Sequence, residues 1–260
     1  MQLVGDHSAL SGYVTLKYSK GSEVFRARRI DEEGRSLDLV CRFNRGEAKG
    51  AAILGRLSRA ERNLRRAVCL LEAGIDTAIP LARIERTSSP RSSWLVTEFV
   101  ADVVDLDQIV LTLLPRYDRT TLRKVKLALS EELVELFARL NDARLYHRDL
   151  KASNILFTQW DGRGASPRPM IVDLDGLHAR RWWDQRRSWQ ALVRLSASLR
   201  DYPALTRTDF ARFLQRYLVR MAIPAKQWKA HFRRLARQAG EYAERSKSRK
   251  SDKLDGFSGA

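Results

Sequence analysis

The sequence predicts an α+β protein in two lobes, an N-terminal antiparallel sheet with one main helix and then a mostly helical C-terminal lobe. Short runs of alternating polarity, separated by Gly, Ser and Asp turns, fill residues 1–100, and a single helical pattern interrupts them. Around Phe99–Asp102 the texture turns helical, which sets the expected boundary. The expected division is 1–100, 101–243, and a basic tail, 244–260, too polar and Ser/Lys/Arg-rich to order itself.

In chain order, Gly12–Tyr18 and Glu23–Ile30 read as strands joined at Ser19-Lys20-Gly21-Ser22, and Ser36–Phe43 as a third strand. In that strand Leu37, Leu39, Cys41 and Phe43 share one face, and Val40 and Arg42 the other. Asn44–Gly50 reads as loop, interrupted by Gly46 and Gly50. Ser58-Arg59-Ala60-Glu61 has capping-box form, and Leu57, Leu64, Val68 and Leu71 recur at helical spacing until Gly74 stops the helix. Ile79–Arg86 and Trp94–Val100 read as two further strands.

Past the boundary, Asp105–Leu114 reads as a short helix ended by Pro115. Thr120–Ala143 carries the clearest apolar stripe, Leu122, Val125, Leu129, Leu133, Leu136, Phe137 and Leu140. Asp184–Leu199, Thr208–Met221 and Ala225–Tyr242 follow as helices.

Hydrophobic residues make up 44% of the 260-residue chain and charged residues 30%, the balance of a globular protein with a core. No apolar run approaches the roughly 20 residues a bilayer span needs. Met1–Leu10 lacks the apolar stretch of a signal peptide, and Cys41 and Cys69 sit in apolar surroundings that suggest reduced thiols. These features point to the cytoplasm. Lys and Arg outnumber Asp and Glu 48 to 31, a formal charge of +17 that favours polyanionic partners.

The most informative stretch is Tyr146–Phe157, with His147-Arg148-Asp149 and then Asn154 five residues after the aspartate. That spacing fits the catalytic loop of kinases. Phosphoryl transfer needs one carboxylate at the acceptor hydroxyl and a separate oxygen ligand for the metal. Ile155-Leu156-Phe157 and Met170-Ile171-Val172 read as a hairpin that brings Asp149, Asn154 and Asp173 to one end. Asp149 is the expected base, Asn154 and Asp173 the expected magnesium ligands, and Asp175 an auxiliary ligand. Lys151 could neutralise charge on the transferred phosphoryl group of ATP. His147 reads as a residue that packs the loop.

The phosphate anchor departs from the usual pattern. A kinase carries a Lys on its third strand, paired to a Glu on the next helix. Here Arg42 stands on that strand, with Val40 on the same face where an adenine would lie and Glu61 as the helix acid. Lys49 is a substitute for the strand Lys, and only Gly21 offers a close backbone approach to phosphate.

Several stretches together resemble the lipopolysaccharide kinase (Kdo/WaaP) family of bacteria. They are Phe43-Asn44-Arg45-Gly46, Glu61 through Leu71-Glu72-Ala73-Gly74-Ile75-Asp76-Thr77, Trp94-Leu95-Val96-Thr97-Glu98, Tyr146–Asp149 and Ile171–Leu174. The likeness runs from about Gly12 to Tyr217. It implies a protein-kinase-like two-lobed fold and ATP- and Mg2+-dependent phosphorylation of a Kdo or heptose sugar of the lipopolysaccharide inner core. It also implies nucleotide contacts from Glu98, Val100 and Leu156. Departures from the family are Arg42 in place of Lys, and Ser188 near where a helix aspartate braces the catalytic loop.

The acceptor it implies, a core glycolipid, agrees with the basic charge and with peripheral contact with an anionic inner membrane. Arg180-Arg181-Trp182-Trp183 with Arg186-Arg187 is the expected place for acceptor or membrane contacts. Two other readings share the motif: a protein Ser/Thr kinase, and a pseudokinase serving as a binding scaffold. Nucleic acid binding follows from charge alone, with no recognition motif to support it.

Overall fold

The computed structural model describes residues 14–19, 21–30, 34, 36–45, 57–86, 92–158, 160, 167–182 and 184–255. The chain forms two compact units. One holds Met1–Glu72 and Thr77–Ala101, the other Ala73–Asp76 and Asp102–Ala260.

The N-terminal unit is an antiparallel sheet of β1 (Val14–Ser19), β2 (Ser22–Ile30), β3 (Ser36–Arg45), β4 (Pro80–Arg86) and β5 (Ser92–Glu98), in the order β1-β2-β3-β5-β4. β3 continues through Asn44 and Arg45, which the sequence reading assigned to loop, because both residues pair with β5. Gly46, Lys49 and Gly50 lie outside the described residues. One face buries Phe25, Ala27 and Cys41, with Phe43 and Val96 packed against them, and Phe43 stacks on Trp94 with ring centroids 4.6 Å apart. Burial there pushes the Cys41 thiol up to about 11, which keeps it protonated and unreactive.

Helix α1 (Arg59–Glu72) covers the other face, where the Ala60 N–H donates to Ser93 Oγ. Its buried side chains are Ala60, Glu61, Asn63, Ala67 and Leu70, whereas Val68 and Leu71 are exposed. The expected Leu57/Leu64/Val68/Leu71 stripe is therefore not the packed one. Alanines at 60 and 67 let the helix axis approach the strands more closely than leucines would.

In the C-terminal unit, α2 (Arg119–Asp142) starts at Asp118, whose carboxylate accepts from the N–H groups of Thr120 and Thr121 at 2.8 and 3.1 Å. The predicted stripe is buried from Val125 through Leu140. Phe137 meets Phe213 and Tyr217 edge-on, both at 6.2 Å between centroids. Helices α3 (Gln185–Leu199), α4 (Arg207–Arg220) and α5 (Trp228–Asp255) complete the bundle. α5 runs to Asp255, well past Tyr242 and into the stretch expected to be disordered. Arg245 and Lys247 meet Glu241 and Glu244 at helical spacing there, which supports a polar helix. Leu106–Leu114 is not one α-helix: a helical turn at Leu106–Gln108 passes into a π-helical stretch, Ile109–Leu113, and a tighter turn at Leu114–Arg116 that contains Pro115.

Two small sheets position the loops. β6 (Val104–Asp105), β8 (Ile155–Thr158) and β9 (Arg168–Ile171) form one, and β7 (Leu145–His147) with β10 (Leu177–Ala179) the other. β8 and β9 make the expected hairpin, with Ile155 opposite Ile171. The Ile171 N–H donates to the Asp76 carbonyl at 2.9 Å, and Arg139 donates to the Gly74 carbonyl at 2.9 Å, so Ala73–Asp76 is held by the C-terminal unit. Among the described residues no helix is long and apolar enough to cross a membrane.

Candidate active site

β7 delivers the chain to the loop with Tyr146 and His147 buried, and then turns Arg148 and Asp149 outward. Leu150, fully buried, anchors the turn. Ala152–Asn154 form a tight helical turn, and the Ala152 N–H is held by Ser198 Oγ at 3.0 Å. Asn154 is buried, and its Nδ2 donates to the Asp149 carbonyl at 2.8 Å. That bond turns Oδ1 the other way, as an oxygen donor. The Asn154 carbonyl accepts from the Val172 N–H at 3.0 Å, which ties the loop to the residue before Asp173.

The link between the two loops is His147. Its Nδ1 accepts from the Asp149 N–H at 3.2 Å and its Nε2 meets the Asp173 carbonyl at 3.1 Å, so the proton belongs on Nε2. The role expected of His147, packing the loop, is the one it has. Asp173 occupies the left-handed region, with φ 59° and ψ 61°, a conformation costly for most side chains but tolerated by Asp. The chain turns there from β9 into Leu174–Gly176, which carries Asp175. The Gly176 carbonyl accepts from the Arg148 N–H at 2.7 Å. A Cβ on Gly176 would lie 2.7 Å from His147 Cε1 and 3.2 Å from the Asp149 nitrogen, so the imidazole can sit there only because the residue is glycine.

The loop that carries Asp149, Lys151 and Asn154 and the one that carries Asp173 and Asp175 are thus joined by main-chain and imidazole bonds. Lys151 Nζ lies 3.7 Å from Asp149 Oδ2, with both side chains about half exposed, a contact worth little to stability and free to rearrange around substrate. Leu156 sits half-buried on β8, two residues past Asn154 and opposite Met170. Magnesium takes one or two protein oxygens and completes its octahedron with phosphate and water. Asn154, whose carbonyl is bonded to the residue before Asp173, and the Asp173 carboxylate are oxygen donors of the kind that demand calls for. Among the described residues no group of three His, Cys, Asp or Glu gathers into an all-protein cage.

In the N-terminal unit, Val40 and Arg42 share one face of β3, both half-buried. Gly21 is exposed in the β1–β2 turn, where a Cβ would meet nothing, and its carbonyl accepts from the Arg45 N–H. Glu98 ends β5, exposed, and Val100 follows half-buried. The Glu61 carboxylate is engaged by Arg65, at 2.6 Å, and by Arg83 of β4. Arg65 holds the Glu61 carboxyl below the usual carboxylate range, burial opposes this, and Arg83 adds to the lowering. The capping box is correspondingly half-formed: Ser58 Oγ accepts from the Glu61 N–H at 3.0 Å, while the Glu61 side chain is drawn to cations. Arg42 and Arg83 both pair with Leu95, so the three residues form one row across three strands. Nothing in the sequence fixed that register.

Ser188, which stands near where the resemblance places a bracing aspartate, holds the helices rather than the loop. Its hydroxyl donates to Asn141 Oδ1, in a buried cluster with Tyr217. The catalytic loop is braced by Ser198 and the Gly176 carbonyl, neither of which the sequence reading singled out. Ser198 Oγ accepts from a backbone N–H and Gly176 acts through its own carbonyl, contacts with main-chain groups that leave no pattern in the sequence.

An Asp just past β9, an Asn-bearing loop and an exposed Asp, tied through main-chain bonds, have the pattern of a kinase-like phosphotransferase. The sequence model of the lipopolysaccharide kinase (Kdo/WaaP) family matches residues 52–217. The chain belongs to that family and is a kinase phosphotransferase. A solved structure, WaaP in complex with acyl carrier protein, matches the fold with a TM-score of 0.68 over 92% of this chain and 90% of that one, at 24% sequence identity. Among curated protein sequences none matches.

Proposed function

We propose that the chain transfers the terminal phosphoryl group of ATP to a hydroxyl of a Kdo or heptose sugar in the lipopolysaccharide inner core. The observation that carries this reading is the hydrogen bond from Asn154 Nδ2 to the Asp149 carbonyl, which couples a buried oxygen donor to an exposed carboxylate. Asp149 is assigned the acceptor hydroxyl: it orients the attacking oxygen and takes its proton as the new P–O bond forms. Lys151 is assigned the charge on the transferred phosphoryl group. Asn154 and Asp173 would hold Mg2+, with Asp175 auxiliary, and the ion would neutralise charge on the phosphates. The N-terminal unit is assigned the nucleotide, through Val40, Arg42, Gly21, Glu98 and Val100, with Glu61 acting through Arg83; Leu156 is assigned a nucleotide contact as well. Because ATP is supplied in the cytoplasm, the enzyme would work there, at the inner-membrane face that carries its acceptor.

Incubation with radiolabelled ATP and deacylated core oligosaccharide tests the reading. Label on the sugar that disappears on chelating Mg2+ supports it. Label found on protein alone would replace the acceptor with a Ser or Thr residue.

A carrier-protein partner has one observation in its favour. The C-terminal unit contains a cavity of about 530 Å3, with Leu133, Leu195 and Phe210 among its walls and the exposed Arg119, Arg123 and Arg212 around it. We propose that it takes the acyl chain of an acyl carrier protein, the partner present with WaaP in the solved structure. Leu133→Trp, which fills the cavity, should abolish retention on immobilised acyl carrier protein carrying an acyl chain. Equal retention on the carrier without its acyl group would remove the proposal.

A further inference from the structure

The ribbon of β7 and β10 has two chemically different ends. At one end His147 and Leu177 lead into the loops that carry Asp149 and Asp175. At the other, the Arg180 N–H donates to the Arg144 carbonyl at 3.1 Å, and the Arg144 guanidinium donates to the Arg181 carbonyl at 2.9 Å. These bonds fix the chain just before Trp182, which is 71% exposed, with the Arg181 guanidinium 5.3 Å from its ring centroid. Arg144, Arg180, Arg181 and Arg186 are all exposed, and among the described residues no ion pair engages any of them. The acids nearest in sequence are committed elsewhere: Asp142 to Arg220 at 3.5 Å, and Asp184 to Arg187 at 3.0 Å, where it caps α3.

We infer that this surface docks on an anionic lipid bilayer, an inference that rests on the glycolipid-acceptor reading. An exposed indole among cations suits the headgroup zone, where the ring sits at the interface and guanidinium groups meet lipid phosphates. The chain's charge of +17 acts in the same direction. The ribbon is three residue pairs long, about 10 Å. Docking at its arginine end therefore holds the catalytic loop roughly one ribbon length from the arginines. Acidic groups of the acceptor itself are the competing occupant of the arginines.

Sedimentation with vesicles of phosphatidylcholine alone, or mixed with phosphatidylglycerol, decides between them without any acceptor present. The intact chain should sediment with the anionic vesicles only, and added salt should release it. Replacing Arg180, Arg181 and Arg186 together by Gln should weaken partitioning by about a hundredfold, and Trp182→Ala should weaken it further. Both variants should phosphorylate soluble deacylated oligosaccharide as the parent does. Equal sedimentation with neutral vesicles, or an arginine variant that sediments like the parent, overturns the inference. So does a variant that keeps vesicle binding but loses transfer to the soluble acceptor, since the arginines would then belong to the sugar. If the intact chain sediments as expected but never labels the oligosaccharide, the docking stands and the acceptor assignment falls.

Discussion

At the scale of single residues, the site depends on groups that do no chemistry as much as on those that do. Asp149 is the one proposed to react. Asp149→Asn keeps the shape and the carbonyl that Asn154 uses, but removes the base, so kcat should fall by about 10²–10⁴ while nucleotide affinity is retained. Equal activity in the two proteins would remove Asp149 from the mechanism. Gly176 is the opposite kind of residue. Gly176→Ala drives a methyl into the His147 imidazole, and overpacking of this sort costs about 1–3 kcal/mol. The prediction is a lower thermal midpoint together with a loss of kcat, because the displaced ring carries bonds to both loops. A variant as stable and active as the parent would show that the ring moves aside freely.

At the scale of elements, what was legible in the sequence was whatever lay close together along it. His147, Asp149 and Asn154 fall within eight residues, and their spacing alone announced the loop. The stripe of α2 was legible because leucines mark it. Arg83 was not, since only the pairing of β4 with β5 and β5 with β3 brings it into the row of Arg42. The packed face of α1 was hidden because alanine carries little pattern, and the length of α5 because its support is ionic. The start of α4 also depends on a pairing far apart in sequence. Asp209 closes a capping box with Thr206 and receives Lys126 Nζ at 2.8 Å. Burial pushes its carboxyl up, but Lys126 and the Thr206 donors outweigh this and hold it below the usual value. A lowered carboxylate stabilises the fold fully above its unfolded value, about pH 3.9, and that contribution is lost as pH falls through the lower folded value. The urea midpoint should therefore drop on acidification below about pH 4, and Asp209→Asn should flatten that drop while lowering the midpoint at neutral pH. An unchanged acid limb in the variant would move the effect to another carboxylate.

At the scale of the molecule, the two units are not consecutive in the sequence. The chain enters the C-terminal unit for Ala73–Asp76, returns to build β4 and β5, and enters again at Asp102. A fragment ending at Ala101 carries Gly74–Asp76 without β9 or Arg139, and a fragment starting at Asp102 leaves the Ile171 N–H without the Asp76 carbonyl. Neither piece should give a cooperative melt, whereas the two expressed together should recover one. An independently cooperative C-terminal fragment would contradict this.

That brief detour has an evolutionary corollary. A recombination event that brought in a new N-terminal unit by one junction would leave four residues stranded on the wrong side of it. Productive exchange needs three crossovers, one on each side of Ala73–Asp76 and one after Ala101, so this pair of units should descend together more often than a two-part architecture suggests.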